Sequence, residues 1–224
     1  MKYSLNHLKI VTLIVIVLLT ITASINPLKH AKGATVMELD TQKPIGKIDN
    51  TYTQTSASGV IIGKHKVLTA YHAVKDRNED TRIRFTPQKN SSSDADQIYA
   101  SKIQRVPGAD LAVIITHQDL SCFGHMTMSP KPPKPGTHIK VTGYPNMHKS
   151  HDTTDYMHTT HYTFKGIDDG KVLLYGNMYG GTSGAAIAYN HHLFGIATFQ
   201  HHGEAVSGGD SLTPQKIRYI QRVH

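Results

Sequence analysis

Three short segments of the 224-residue sequence each place a reactive side chain beside an apolar or glycine-rich run. His72 lies in VLTAYHAV, Asp110 begins the apolar run of ADLAVI, and Ser183 lies in GGTSGA. Each segment alone is a weak signal, because a lone aspartate before an apolar run is often only a turn residue. The order His, Asp, Ser along the chain is nonetheless one of the orders in which a Ser-His-Asp triad occurs. Together the segments predict nucleophilic catalysis by a serine.

The chemistry of such a triad requires these three residue types. A serine hydroxyl is a poor nucleophile at neutral pH, so a base must remove its proton as it attacks. An imidazole can accept that proton and return it to the leaving group. A carboxylate fixes the imidazole tautomer and stabilises the imidazolium. We therefore expect His72 as the base, Asp110 as its partner and Ser183 as the nucleophile.

The glycines around Ser183 suggest a site for the negative charge that develops during attack. Gly181 has no Cβ, so its backbone can adopt a conformation that aims its N–H at the reacting oxygen. We expect the N–H groups of Gly181 and Ser183 to form the oxyanion hole. Removing one donor of this kind typically costs about 3–4 kcal/mol of transition-state stabilisation.

The rest of the chain has the pattern of an all-β protein. Short β-rich runs alternate with clusters of Gly, Pro, Asn, Asp and Ser, which is typical of a sandwich or a barrel. The best helical segment is Pro214–Val223, near the C-terminus. One triad member falls late in the first half, one at its end and one in the second half, so the three could meet between two subdomains. The runs that we predict as strands are Gly59–Ile62, Lys66–Thr69, Thr81–Phe85, Leu111–Ile115, His138–Thr142, Val172–Tyr175, Ala185–Ala188 and Leu193–Phe199.

The N-terminal segment has the composition of a secretory signal. A basic stretch is followed by the apolar run Ile10–Thr22, which is shorter than the roughly 20 residues of a membrane-spanning helix. Cleavage before Ala34 fits the small-x-small rule, cleavage after Ala23 is an alternative, and an uncleaved membrane anchor is a further one. We predict four parts: a signal peptide (1–33), a barrel with His72 and Asp110 (34–127), a proline-rich linker (128–136), and a barrel with Ser183 and the helix (137–224).

Charge and cysteine content exclude some classes of function. Four of the 24 Lys and Arg and none of the 16 acidic residues precede Ala34, which leaves 20 basic against 16 acidic residues. This balance does not predict nucleic-acid binding. The single cysteine, Cys122, cannot form an internal disulfide. The 16 histidines include two H-x-x-H pairs, but without an HExxH motif we favour loop histidines over a metal site.

Six segments in the same order resemble a known family: SASGVIIGKHKVLTAYHAV, ADLAVI, VTGYPN, GGTSGAAI, LFGIATF and LTPQKIRYI. The chain resembles the staphylococcal glutamyl endopeptidase and Spl-type serine proteases, which are related to the exfoliative toxins. The resemblance spans about Val36–Ile220. It implies two six-stranded antiparallel β-barrels with the active site between them, a secreted protein, and neither a metal nor another cofactor. A protein or peptide would be the substrate, and we expect a monomer that binds no nucleic acid and, once the signal is removed, no membrane.

Departures from the family concern specificity. Met178 and Ala197 match the positions at which the glutamyl enzymes bind the substrate carboxylate with Thr and His, and neither can bind an anion. We therefore predict narrow specificity for an uncharged residue, apolar or amide, before the scissile bond, and not for Glu. The residues that we expect to line or flank the pocket are Asn177, Met178, Tyr179, Ala197, Thr198, Phe199 and Gln200.

Two other functions remain open. Thr182, Ala185 and Ala186 replace residues of the family's Ser motif, so the chain could be a protease-fold binding protein or toxin-like effector, a virulence factor with little or no turnover. It could also be an esterase with the same triad, although the G-x-S-x-G elbow of such enzymes is missing.

Overall fold

The structure is a computed structural model that describes residues 37–39, 44–90, 96–146, 156–201 and 205–224, with 37–39 and 201 described by their backbone alone. The chain divides into Met1–Ala31 and Lys32–His224, and every described residue belongs to the second unit. The predicted signal peptide and both candidate cleavage sites lie outside the described residues.

The described chain is built almost entirely from strands, with one α-helix at its end. Short 3₁₀ turns at Tyr71–Ala73, Asp80–Arg82 and Ser121–Phe123 join some of the strands. The elements are β1 (Met37–Leu39), β2 (Ile45–Asn50), β3 (Thr55–Gly63), β4 (Lys66–Ala70), β5 (Ile83–Pro87), β6 (Ile98–Arg105), β7 (Leu111–Thr116), β8 (Thr127–Met128), β9 (His138–Gly143), β10 (His158–Asp168), β11 (Lys171–Tyr175), β12 (Ala186–Tyr189), β13 (His192–His201), β14 (Val206–Ser211) and α1 (Pro214–Arg222).

Two six-stranded antiparallel barrels confirm the predicted fold class. The first closes in the order β2, β3, β4, β7, β6, β5. The second runs β10, β11, β14, β13, β12, β9 and closes where β9 pairs with the first half of β10. Closure leaves few exposed sheet edges. β3 and β4 of the first barrel contact β9 and β13 of the second, and the candidate site lies at this boundary.

Apolar side chains fill each barrel and the boundary between the two. Ile48, Phe85 and Ile114 belong to the core of the first barrel, whereas Phe164 and Phe194 meet edge-to-face in the second, with ring centroids 5.7 Å apart. A third cluster joins buried side chains from both halves, among them Leu68, Leu111, Tyr144 and Ile196. The barrels therefore share apolar surface, which fixes one against the other.

Two short strands pair across the boundary predicted between the first barrel (34–127) and the linker (128–136). β1, from the segment assigned to the first barrel, pairs with β10 of the second, and β8 pairs in parallel with β13.

The helix α1 begins as its sequence predicts, with Pro214 in the first turn and the Thr213 side chain accepting a hydrogen bond from the Lys216 N–H (3.3 Å). Within the described residues, no helix is long and apolar enough to cross a membrane.

Candidate active site

His72 lies just beyond the end of β4, in the 3₁₀ turn Tyr71–Ala73. The turn is held against the start of β7, because the Tyr71 N–H donates to the Asp110 carbonyl (3.1 Å). The ring of Tyr71 lies under the guanidinium of Arg105, 4.7 Å from ring centroid to Cζ. These contacts fix the backbone from which His72 projects.

Asp110 contacts His72 at two points. Its Oδ1 accepts a hydrogen bond from the His72 backbone N–H (2.9 Å), and its Oδ2 lies 2.6 Å from Nδ1 of the ring. A carboxylate in this position selects the tautomer with a proton on Nδ1, which leaves Nε2 free to accept a proton. The geometry is that of a base oriented by an acid.

The pKa of Asp110 is lowered from its usual value. Partial burial favours the neutral acid and would raise the pKa. The two hydrogen bonds from His72, together with positive charge on His72 and Lys171, outweigh that effect and favour the carboxylate. Asp110 is therefore ionised above the ordinary titration range of an aspartate, and it loses its charge only as the pH falls through the lowered value.

Ser183 lies in the loop between β11 and β12 and completes a continuous chain of hydrogen bonds. Its Oγ is 2.8 Å from Nε2 of His72. The loop is anchored on both sides, since the Gly184 N–H donates to the Ala197 carbonyl (2.8 Å) and the Ser183 carbonyl accepts from the Ser58 N–H (2.8 Å). The structure thus brings together the three predicted residues, with Ser183 supplied by the second barrel and the other two by the first.

The peptide between Gly180 and Gly181 is held in one orientation by a hydrogen bond of its carbonyl. The Gly180 carbonyl accepts from the Asn146 N–H (2.6 Å). Because C=O and N–H point in opposite directions across a trans peptide, the Gly181 N–H points away from Asn146. Among the described residues, neither this N–H nor that of Ser183 donates a hydrogen bond to the protein. Both predicted donors are therefore available to a ligand.

Gly181 and Gly184 are two positions close to Ser183 where the loop requires glycine. Their φ angles are +77° and +84°, in the left-handed region that side chains disfavour. A Cβ at Gly181 would collide with the Tyr144 carbonyl, and one at Gly184 would collide with the Ser58 carbonyl. The tight approach of the loop to both barrels depends on these glycines.

A buried carboxylate, Asp210 on β14, supports the segment that carries Asp110. Only 2% of its side chain is exposed, and its Oδ2 accepts from the Asp110 N–H (3.3 Å). Ammonium groups of Lys171 (2.7 Å) and Lys216 (3.0 Å) neutralise it. Asp210 therefore ties α1 and β11 to the triad.

We expect Asp210→Asn to lower the free energy of unfolding by about 3–5 kcal/mol, because it removes the charge that compensates the mostly buried ammonium of Lys216. The measurement is the urea midpoint with an unchanged slope. The matched control is Asp76→Asn, whose ion pair with Lys75 is exposed and should contribute little. Equal stability of the two variants would contradict the assignment of Asp210 as the anchor of this network.

The predicted pocket residues fall into three groups. Thr198 and Phe199 line a cavity of about 390 Å³ that also contacts Asp110. Met178 and Ala197 are buried in the apolar core of the second barrel. Their neighbours extend along the same two segments: Asn177 and Tyr179 are exposed, and Gln200 is half-buried on β13. Met178 and Ala197, the two positions that differ from the glutamyl enzymes, are thus occupied by buried apolar side chains.

The two H-x-x-H pairs are described only in part. His148 and His151 fall outside the described residues, while His158 and His161 lie on β10. Burial lowers the pKa of His158. A second cavity of about 620 Å³ is lined in part by His125, His138, His161 and His191. Over the residues that the structure describes, no group of three or more His, Cys, Asp and Glu side chains could hold a metal ion.

Two barrels with an Asp–His–Ser arrangement at their boundary define a chymotrypsin-like protease fold. The model of the trypsin-like peptidase domain matches residues 57–196, more than half of the chain. The chain therefore belongs to the trypsin-like peptidase family, which confirms the resemblance drawn from its motifs.

Individual relatives agree with this assignment. Exfoliative toxin A of Staphylococcus aureus is 29% identical, over 84% of this chain and 68% of the toxin. The solved structure of a Glu endopeptidase in complex with MPD superposes with a TM-score of 0.69 at 20% identity, over 85% of this chain and 96% of that one. A scabies mite inactivated protease paralogue, S-D1, gives 0.68 at 17% identity, over 79% and 90%. Since an inactivated protease shares the fold, the arrangement of side chains must decide the activity.

Sequence reasoning did not assign a role to Ser58, Lys171 or Asp210. The signal for Asp210 was an acid within the segment VSGGDS, whose residues are all buried in the structure. Ser58 lies in the segment SASGVIIGKHKVLTAYHAV, in which only His72 was predicted to have a chemical role. Their contacts span more than 30 residues of sequence, so local patterns could not reveal them.

Proposed function

We propose that this protein is a secreted serine endopeptidase that hydrolyses peptide bonds through an acyl-enzyme. The observation that carries the proposal is the unbroken chain of hydrogen bonds from Asp110 through His72 to Ser183. A fold shared with inactivated relatives does not require this arrangement, whereas nucleophilic catalysis does.

Each residue has a defined part in the proposed reaction. Ser183 Oγ attacks the carbonyl carbon while its proton passes to Nε2 of His72, and the N–H groups of Gly181 and Ser183 bind the negative oxygen. The imidazolium, stabilised by Asp110, then protonates the leaving amine as the C–N bond breaks. Water enters, gives a proton to His72 and attacks the acyl carbon. His72 then returns that proton to Ser183 Oγ as the acyl C–O bond breaks, which releases the acid and restores Ser183.

The proposed specificity is for an uncharged residue before the scissile bond. An anionic side chain needs a cationic or hydrogen-bonding partner when it leaves water. The buried Met178 and Ala197 supply neither. Export is part of the proposal because the N-terminus has a basic stretch followed by the apolar run Ile10–Thr22, and the similarity to a staphylococcal toxin supports it.

The test uses protein collected from the medium of a bacterial host that expresses the full-length chain. We expect it to cleave a peptide library after uncharged residues and to lose activity when a fluorophosphonate labels Ser183. Glu before the scissile bond should be at least about 100-fold poorer than the best residue, since one unpaired buried charge costs several kcal/mol. Mass spectrometry of the labelled peptide identifies the modified serine.

Three results would count against separate parts of the proposal. Cleavage after Glu would refute the specificity, and protein retained by the cells would refute export. A folded, processed protein that neither cleaves peptides nor reacts with the fluorophosphonate would refute the enzymatic function. In that last case the protease-fold binding protein is the better description, because Thr182, Ala185 and Ala186 depart from the family's Ser motif.

A further inference from the structure

Ser58 of β3 is a fully buried polar residue whose N–H and hydroxyl both contact the loop that carries Ser183. Its side chain and backbone are inaccessible to solvent. Its N–H donates to the Ser183 carbonyl (2.8 Å) and its hydroxyl donates to the Gly181 carbonyl (2.9 Å). The same hydroxyl accepts from the Tyr144 N–H (2.8 Å). One residue of the first barrel therefore holds two carbonyls of the nucleophile loop in the second.

The position of Ser58 in β3 explains why its N–H can bond to the nucleophile loop. β3 pairs with β4 from Val60 opposite Leu68 to Gly63 opposite Lys66, and this pairing does not extend back to Ser58. Thr69 satisfies the Ser58 carbonyl with its own hydroxyl (2.7 Å), which leaves the Ser58 N–H facing the loop. The strand edge is thus open where the loop arrives.

Close packing around the hydroxyl leaves it one geometry. A Cβ added at Gly143 would lie 2.5 Å from the Ser58 Oγ, and one at Gly184 would collide with the Ser58 carbonyl. A serine hydroxyl has one proton to donate, and here it goes to the Gly181 carbonyl. Both groups that the hydroxyl contacts are main-chain groups of the second barrel, so its orientation depends on how the barrels meet.

The two anchored carbonyls lie on either side of the peptide that joins Thr182 to Ser183. That peptide carries the Ser183 N–H, one of the two expected oxyanion donors. Gly181, at φ +77° and without a Cβ, offers little steric resistance to rotation of the adjoining peptides. Once the hydroxyl is lost, the peptide between Gly181 and Thr182 keeps one hydrogen bond, from the Thr182 N–H to the Tyr179 carbonyl (3.3 Å). The Gly180, Thr182 and Ser183 carbonyls keep their own hydrogen bonds.

We propose that the Ser58 side chain is a positioning residue that holds the nucleophile loop in the conformation whose N–H groups face the oxyanion. The inference rests on the proposed function, because it concerns the oxyanion site of that reaction. Ser58 touches no reacting atom, and it acts through the Gly181 carbonyl. The consequence is that the first barrel supplies His72 and Asp110 and also helps to stabilise the negative charge of the oxyanion.

The test compares Ser58→Ala and Ser58→Cys with Ser56→Ala, a matched control two residues away whose hydroxyl bonds Asp49 (2.8 Å) rather than the loop. We expect Ser58→Ala to lower kcat for a peptide ester about 10–100-fold with KM within about threefold, less than the full loss of one donor. The affinity of a peptidyl boronic acid, whose tetrahedral adduct occupies the oxyanion position, should fall by the same factor. Ser58→Cys, with a weaker donor, should lie between, and Ser56→Ala should match the parent.

Because a loss of folded protein would also lower the apparent kcat without changing KM, kcat is calculated per folded protein. The dissociation constant of the boronic acid does not depend on the amount of folded protein and provides the independent measure. If Ser58→Ala and Ser58→Cys are folded and both keep kcat within about twofold of the parent, the inference is wrong. It is also wrong if KM for the ester rises while kcat stays constant, because the hydroxyl would then affect substrate binding alone.

Amide hydrogen exchange separates this inference from the proposed function. Ser58→Ala should speed exchange of the Tyr144 and Thr182 amides at least about tenfold, because the first loses its acceptor and the second shares a peptide with the released Gly181 carbonyl. This holds whether or not the parent has turnover. A parent without turnover but with these exchange changes would refute the enzyme and leave the positioning role supported. Unchanged exchange would refute the positioning role in an active parent.

Discussion

Replacement of Ser183 by alanine should lower kcat about a million-fold while the protein stays folded. The substitution removes the nucleophile, and in proteases with a comparable triad the loss of this residue has an effect of that order. The Ser183 side chain is half-exposed and its hydroxyl contacts only His72 among the described residues, so little packing is lost. The measurement is hydrolysis of the best peptide substrate, with the unfolding midpoint taken in parallel.

The control for this variant is Ser121→Ala, since Ser121 is exposed and lies outside the site. It should keep the parental kcat and the fluorophosphonate labelling, and Ser183→Ala should lose both. Turnover above about 1% of the parent in pure, folded Ser183→Ala would assign the nucleophile to another residue.

Asp110→Asn should lower kcat about ten-thousandfold at neutral pH. An asparagine at this position can present an amide N–H to Nδ1 of His72, which selects the opposite tautomer and leaves a proton on Nε2. The ring then cannot accept the proton of Ser183. Asp119→Asn, an exposed carboxylate that accepts from the Ser121 N–H (2.8 Å), is the control and should keep parental kcat.

The lowered pKa of Asp110 limits its part in the pH dependence of the proposed activity. Since the carboxylate persists above the ordinary range of an aspartate, its protonation cannot account for any loss of parental activity between about pH 5 and 8. A kcat within tenfold of the parent for folded Asp110→Asn would show that the carboxylate does not set the tautomer of His72.

The triad residues were predictable because each belongs to a short motif with its own local chemistry. His72 follows β4 and Asp110 precedes β7, and both strands are apolar enough to recognise in the sequence. The roles of these residues stay predictions until the variants are measured. The fold class followed from the same motifs, since their order and spacing resemble those of a family with two barrels.

Strands with polar or glycine-rich sequences were not predictable. β10 (HTTHYTFKGID) contains threonines and histidines, and no strand was predicted over its residues. Thr159 is nonetheless buried, and its hydroxyl forms a hydrogen bond with that of Thr142 on β9 (2.8 Å). β14 (VSGGDS) has residues that are depleted in strands, yet pairing with β11 and β13 buries it. In both strands, neighbours distant in sequence decide the conformation.

The division of the triad between the barrels has a consequence for the timing of activity. His72 and Asp110 come from the first barrel and Ser183 from the second, while Lys216 of the last helix neutralises the carboxylate that supports Asp110. A chain still emerging from the ribosome therefore lacks the complete arrangement until α1 is in place. Under the proposed function, the protein could not hydrolyse peptide bonds in the cell while it is being synthesised, and it would need no separate inhibitor over that interval.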